Sequence, residues 1–462
     1  MHFMAAHSEK QQKTGPRSRC FNVLSEKADE RTAESTYQDA RRAYEKKDEP
    51  RTDKRHYKGV KGPSILMNLL YFDLISGFVV DYMHAILLGV VKSHMEYLFN
   101  STKNKCWVNM TDNIALKDLT DTIDSRLLSI QPPTGISRSP RSIEHCSKWK
   151  ASEWRSWLLF YCIPCLQDLL KDKYLIHLAM LSRATYILLQ HSISRIEIEE
   201  AHNLFLQYCY YFQKYFEPKH TIYNLHLLTH VCKCVINWGP LWTHNAFCYE
   251  GQNRHLLQLY QSPFQVISQI ARKFLTLNSL SILCEELVSS KSTIDFSEKI
   301  LNKRLKHFVR SDGAFLLGRR QHNISVLPEE EQCFVHFGNF DMKNFTFFHR
   351  LLYNGIRYTS SQYIGKKKNN DSYVILKNGK VAKTKHIAMS PLGEILLLVQ
   401  TFKCYRRFLV QNNYVALSHV LKIKKLDKMI CINLSLIKQP CVVMKLHSNI
   451  HICGLPFGCH RD

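Results

Sequence analysis

Two acidic residues stand where a carboxylate could do chemistry. Asp81 closes the apolar run Gly77-Phe78-Val79-Val80 and precedes a helical pattern, with His84 three residues on. Glu250 follows Trp238-Gly239-Pro240-Leu241-Trp242 near the start of a later helix, with Arg254 and Gln258 at i+4 and i+8 on the same face. An Asp at the end of a strand and a distant helical Glu are what a two-metal nuclease core requires. Carboxylates converging on Mg²⁺ let the metal activate a water and stabilise the leaving oxygen. Each position has a structural alternative. An Asp before a helix is a common N-cap, a helical Glu commonly faces solvent, and His84 could be a half-buried helix histidine.

These segments resemble the transposases of CACTA-type DNA transposons. The resemblance runs through Gly59-Val60-Lys61-Gly62-Pro63-Ser64, Val80-Asp81-Tyr82-Met83-His84, Pro140-Arg141-Ser142 and Trp149-Lys150-Ala151-Ser152-Glu153-Trp154-Arg155. It continues at Tyr223-Asn224-Leu225-His226 and the Trp238–Glu250 segment, then through Phe348-His349-Arg350 and Asn354-Gly355, so that about residues 59–450 are covered. It implies an RNase H-like catalytic core with a DDE triad, in which Asp81 is the second Asp, His84 stands beside it and Glu250 closes the triad on Mg²⁺. The family's first Asp lies on a buried central strand, which needs a continuous apolar run. Residues 1–62 offer only Phe21-Asn22-Val23-Leu24, and Asp39 and Asp48 sit in charged surroundings. The chain therefore reads as a truncated or domesticated relative, catalytically incomplete as it stands. One alternative is an active transposase whose missing Asp is supplied elsewhere. Another is a protein-interaction module without enzymatic activity.

The elements that would position these residues follow from periodicity. The fold class expected is α+β: a partial RNase H-like core, an all-helical insertion and a small β-rich C-terminal domain. Residues 1–62 are too charged to bury much surface, with one short helix near Ala33–Tyr44. Residues 63–110 read as strand (Phe78-Val79-Val80) then helix, since Met83, Leu87, Val90, Val91, Met95 and Leu98 recur at helical spacing. Residues 111–245 read as helical, with long helices at Tyr174–Gln190 and Ile196–Phe216, the second ended by Pro218. Residues 246–312 read as closing helices, broken at Pro263, the later one spanning Phe264–Leu277. In residues 313–462 the period changes to two. Asn354-Gly355 and Asn378-Gly379 mark hairpins, and Ile395–Val399 and Met429–Ile432 read as further strands of a barrel-like sheet.

The net charge of +24 favours a polyanionic partner. The excess is concentrated: residues 313–462 hold 22 Lys and Arg against 8 Asp and Glu, a net of +14. DNA, bound with little sequence preference, is the expected partner, and the nucleus the expected compartment. The contacts expected are Arg254, Lys366, Lys367, Lys368, Lys422, Lys424 and Lys425. A homo-oligomer is left open. No membrane association is expected, because Asp73, Asp81 and His84 interrupt the most apolar stretch, Ile65–Val91. Sixteen Cys without a secretory signal fit a reducing compartment. His226 and His230, at i and i+4, resemble paired metal ligands, and Cys232, Cys234, His244 and Cys248 follow. The Cys-x-Cys spacing is not that of structural zinc, and Cys162-Ile163-Pro164-Cys165 fits a packed helix better than a redox motif. Neither a phosphate-binding glycine loop nor a Gly-x-Ser-x-Gly elbow occurs.

Overall fold

The chain is described from a computed structural model. It describes residues 30–45, 57–100, 106–107, 116–216, 220–287, 290–293, 296, 307–320, 326–335, 344–364, 368–405, 408–409, 416–417, 419–446 and 449–456. It is an α+β chain that divides into two compact units: residues 1–124, 142–245 and 409–417, and residues 125–141, 246–408 and 418–462. Asp48, Pro218, Lys366 and Lys367 lie outside the described residues.

Helices build the first unit. The expected N-terminal helix is present as α1 (Ala33–Glu45). An apolar helix, Met83–Val91, opens in wide i→i+5 turns and continues as α2 (Lys92–Asn100). Then come α3 (Leu116–Leu128), which runs on past the boundary between the units, and α4 (Ala151–Ser156). The wide turn Trp157–Tyr161 leads into α5 (Cys162–Leu166). The long helices expected at Tyr174–Gln190 and Ile196–Phe216 are α6 (Asp172–Leu188) and α7 (Arg195–Tyr215). Helix α7 opens on a capping box, in which Ser194 accepts from the Glu197 backbone and Glu197 accepts from the Ser194 backbone. Helix α8 (Tyr223–Trp238) stops at Gly239, whose φ of 87° a residue with a Cβ would adopt only with strain.

One sequence expectation changes here. Phe78-Val79-Val80 forms no strand. The segment before it is a turn, in which the Asp73 carboxylate accepts from the backbone N–H groups of Ile75 and Ser76, and Phe78 packs edge-on against Phe72 at 5.3 Å. A β-branched apolar run makes a strand only where a neighbour supplies ladder partners, and these residues instead form irregular backbone that leads into the Met83–Val91 helix. That helix buries seven of its nine residues. Gly89 lies where α8 crosses it: a Cβ there would stand 2.5 Å from Asn224 Nδ2 and 2.9 Å from the Asn224 Cβ. The second contact cannot be relieved by rotating the Asn224 side chain.

Beside α2, helices α6 and α7 bury a histidine–aromatic cluster. His94 Nδ1 pairs with the Tyr208 hydroxyl at 2.7 Å, and His177 Nε2 donates to the Tyr208 carbonyl at 2.8 Å. The His177 ring stacks on Tyr208 at 4.1 Å. Among the described residues, His94 Nε2 and His177 Nδ1 have no hydrogen-bond partner.

In the second unit lie α9 (Phe247–Gln258), α10 (Val266–Leu287) and a β region with the short helix α11 (Pro328–Val335). Helix α10 extends ten residues beyond the Leu277 limit expected from sequence. Strands β1 (Phe308–Ser311), β2 (Ala314–Leu317), β4 (Arg350–Tyr353) and β5 (Ile356–Thr359) form an antiparallel meander, with β3 (Thr346–Phe348) placed between β2 and β4 in sequence. Asn354-Gly355 turns β4 into β5 with φ of 50° and 73°, the left-handed pair that a two-residue hairpin requires. The second sheet contains β3, β6 (Tyr373–Leu376), β7 (Val381–Met389), β8 (Ile395–Tyr405), β11 (Val420–Asn433), β12 (Ile437–Leu446) and β13 (Asn449–Gly454). The short strands β9 (Phe408–Leu409) and β10 (Ala416–Leu417) fall between β8 and β11 in sequence.

In this sheet β7, β6, β12, β13, β11 and β8 follow one another, and β8 pairs back onto β7. Six strands therefore close on themselves, which removes exposed edges. Tyr373, Val381, Phe402, Cys441, Val443 and Ile452 form one apolar cluster of this ring. A second cluster joins Val374, Ala382 and Leu397 to Leu316, Leu351 and Tyr358 of the meander. The segment 125–141 is held to this unit by the buried Asp371 carboxylate, which accepts from the Thr134 backbone at 2.6 Å and from Arg357 Nη2 at 2.7 Å.

The His94–His177 cluster makes a pH prediction. Burial, then the neighbouring His177, holds His94 well below the usual histidine range, and burial pushes His177 down to about 3. Both rings are neutral when folded and titrate near 6.5 when unfolded. The unfolded state therefore takes up protons first, and stability falls as pH drops below about 6.5. Moving from pH 7 to pH 5 is expected to cost roughly 2 kcal/mol per histidine in urea-unfolding free energy. His177→Phe, which keeps a stacking ring but cannot charge, is expected to flatten that dependence. An unchanged profile in the variant would remove His177 as its source.

Candidate functional site

Asp81 is the turning point between the irregular Phe72–Val80 segment and the buried helix. Its carbonyl accepts the Ala85 N–H at 2.9 Å, the first intrahelical bond. Its carboxylate accepts the Met83 N–H through Oδ1 at 3.2 Å and the His84 N–H through Oδ2 at 3.1 Å. His84 Nδ1 also lies 2.5 Å from Oδ2. Asp81 thus satisfies N–H groups that the first helical turn leaves without intrahelical partners. The Asp81 side chain is 12% exposed and that of His84 is 54% exposed, so this pair forms a polar mouth on an otherwise apolar element.

The two sequence motifs meet here in part. The Trp238 indole N–H donates to the Ser76 carbonyl at 2.8 Å, tying the end of α8 to the turn before Asp81. His244 lies within electrostatic reach of Asp81. Burial lowers its pKa, and its contacts with the Gly239 carbonyl and the Asp81 charge pull the other way. Cys234 lies against the Val80 backbone, and burial raises its thiol pKa. Histidines and a carboxylate therefore stand at the start of the Met83–Val91 helix, with the Trp238 indole on the turn that precedes it. Spacing alone did not reveal that Trp238 and His244 belong to the Asp81 neighbourhood, because 162 residues separate Trp238 from Ser76.

Glu250 belongs to the other unit, on α9. Glu250, Arg254 and Gln258 share an exposed face, and no residue of α9 is buried. Among the described residues, no group of three or more His, Cys, Asp or Glu is placed to hold a metal ion. Both Asp81 carboxylate oxygens are engaged at the helix start. His226 and His230 do meet, Nε2 to Nε2 at 3.2 Å, and burial pushes His226 down to about 4. Cys162 and Cys165 are buried in the helical core, and burial drives the Cys162 thiol pKa upward.

The basic residues fall on a different surface. Lys368 is exposed at the end of a described segment. Lys424 and Lys425 are exposed on β11, and Lys422 is half-buried. The β11–β8 register shifts between Ile423 and Lys425, so Lys424 is the extra residue of a bulge. Lys425 then stands directly opposite Lys403 of β8, also exposed. Lys424 Nζ lies 5.1 Å from the centre of the Tyr405 ring. Asp427, the acidic residue of this stretch, is held by Lys380 Nζ at 3.0 Å and lies within electrostatic reach of Lys403, and these two cations lower its pKa. Lys403 and Tyr405 were not singled out from sequence; cross-strand register brings them in. No helix of the described residues is long and apolar enough to cross a membrane.

In comparisons with protein-family models, curated proteins and solved structures, nothing matches this chain.

The capping geometry makes a stability prediction. Asp81→Ala is expected to lower unfolding free energy by about 0.5–2 kcal/mol, the usual cost of losing a cap. Asp81→Asn, which keeps one accepting oxygen, is expected to recover more than half of that. Urea titration of both variants decides it, and an Asp81→Ala midpoint equal to wild type would remove the cap from the account.

Proposed function

We propose that the protein is a transposon-derived relative of DDE transposases that binds nucleic acid and carries out no strand cleavage. On this reading the turn at Asp81 and the helix after it descend from an RNase H-like core, and the helices up to residue 245 from an insertion into it. Asp81, His84 and Glu250 are inherited positions, and the first Asp of the triad has no counterpart in the chain. The basic C-terminal region makes the contact with DNA, and the compartment is the nucleus.

The observation that carries the binding half is the like-charge pair Lys425–Lys403. Two lysines directly opposite on neighbouring strands repel one another, and Lys424 and Tyr405 extend the same exposed patch. A phosphate backbone lying across it would relieve the repulsion and release counterions. Phosphate contacts of this kind carry no base information, so binding is sequence-tolerant. An aromatic ring beside the lysines suits an unstacked base as well as a sugar. The order of motifs from Gly59 to Glu250, with Asp81 and His84 three residues apart, supports the family half of the reading.

Fluorescence anisotropy with the full chain and short duplexes tests the binding. Affinity is expected to fall steeply with salt. Replacing Lys422, Lys424 and Lys425 by Ala should reduce the slope of log affinity against log salt by about two to three, equally on unrelated sequences. Absence of binding at low salt would remove the nucleic-acid role.

The catalytic half has its own test. With one carboxylate of the triad missing, in-line geometry fails, so incubation of supercoiled plasmid with Mg²⁺ or Mn²⁺ is expected to give no nicked product. Nicking that disappears in both Asp81→Ala and Glu250→Ala would overturn the reading and show that another residue completes the triad.

A further inference from the structure

Helix α10 presents apolar residues to solvent to a degree that a stable monomer does not ordinarily tolerate. Between Phe264 and Leu283, eight large apolar side chains are 38–85% exposed. At about 100° per residue they are spread over more than one side of the helix, so one partner face covers part of them, and an interface of standard size, about 800 Å² per partner, would draw on neighbouring residues as well. A helix that is apolar on most sides is normally a buried one.

The distribution of residues selects the occupant. At 3.6 residues per turn, Ile267, Ala271, Leu275 and Ile282 fall within about a quarter turn of one another. Ile267, Leu275 and Ile282 are 85%, 64% and 58% exposed. Ser268 and Ser279, both small and exposed, border that stripe and permit close approach. Exposed charges flank the same side: Arg272 lies seven residues before Ser279 and Glu286 seven residues after it. This arrangement is self-complementary under a two-fold axis beside Ser279. In an antiparallel pair, Arg272 of each copy meets Glu286 of the other, and the Leu275–Ile282 stripes cover one another. A parallel pair would instead place Arg272 against Arg272 and Glu286 against Glu286. The helix macrodipoles favour the antiparallel arrangement as well.

We infer that α10 is a homodimerisation helix, pairing antiparallel with α10 of a second copy through the face of Leu275 and Ile282, with reciprocal Arg272–Glu286 ion pairs setting the register. The interface is isologous, since the same patch serves both copies. It is independent of the lysine patch on β11 and of the nucleic-acid reading.

Sedimentation equilibrium on the full chain, in the absence of DNA, tests this. The wild type is expected to show a concentration-dependent monomer–dimer equilibrium. Leu275→Glu with Ile282→Glu should abolish the dimer, while circular dichroism stays that of the wild type because both residues are surface-exposed. Arg272→Glu alone should raise the dissociation constant about tenfold or more, by placing two acidic groups together at each end of the pair. Adding Glu286→Arg to that variant should restore wild-type affinity, because the reciprocal pairs re-form with reversed sign. A wild-type monomer at every concentration would overturn the inference. So would a dimer indifferent to the Leu275→Glu, Ile282→Glu substitution, or a charge-swapped chain that stays as weak as Arg272→Glu alone, which would place any self-association elsewhere or in another orientation.

Discussion

The first unit depends on keeping one nearly all-apolar helix out of water. Met83–Val91 has a single exposed residue, His84, and contacts α2, α4 and α8. Its burial leaves little freedom at its ends. The N–H groups of its first turn must be satisfied locally, because an unpaired backbone donor beside an apolar core costs on the order of 1–3 kcal/mol. Asp81 supplies that acceptor. The helix must also pass α8 closely, which Gly89 allows, since a Cβ at that position would overlap the Asn224 side chain down to its own Cβ. A mutation to Ala would improve intrinsic helicity by up to about 1 kcal/mol, but a displaced helix crossing costs about 1–3 kcal/mol, so the contact outweighs the propensity.

This constraint gives Asp81 a structural task independent of any chemistry it performs. A carboxylate at the start of a buried helix is held in one orientation by the backbone groups it caps. That rigidity is also what a metal ligand needs. The two roles differ in what surrounds the carboxylate: a metal centre requires further oxygen donors converging on the same point, whereas a cap is complete once the first-turn donors are met. The Asp81 carboxylate meets the His84 imidazole and the backbone N–H groups of Met83 and His84, and among the described residues no group of three or more His, Cys, Asp or Glu is placed to hold a metal ion.

The parts of the fold legible from sequence are those set by short-range chemistry. Asn354-Gly355 adopts the two left-handed conformations its composition favours, Ser194 and Glu197 cap α7 reciprocally, and the helical periods of α6 and α7 match their observed ends within two residues. Asp312-Gly313, a turn signal of the same composition, makes the same kind of turn between β1 and β2. The misreadings occur where a long-range partner decides. Phe78-Val79-Val80 has strand composition but no neighbouring strand among the described residues, so composition misleads. Helix α10 runs past its expected end because its Leu and Ile residues suit a helix at any register. The patch around Lys403 and Tyr405 depends on a bulge in β11, and no local pattern announces which residue of a strand will be the extra one.

The candidate chemistry and the candidate binding surface differ in how they fail. Two-metal catalysis needs all its ligands at once, because in-line geometry and charge neutralisation are lost together when one donor is absent. Binding to a polyanion is a sum over many weakly coupled charges, and removing one lysine takes away about one released counterion from the total. On the proposed reading, a chain with Asp81 and Glu250 and no first carboxylate fails the first requirement and still meets the second, with a net charge of +14 over residues 313–462. The closed ring of six strands makes that surface dependable. Its apolar clusters pack against β8 and β11 where Lys425 stands opposite Lys403, and on the proposed reading a phosphate chain relieves the repulsion of that pair.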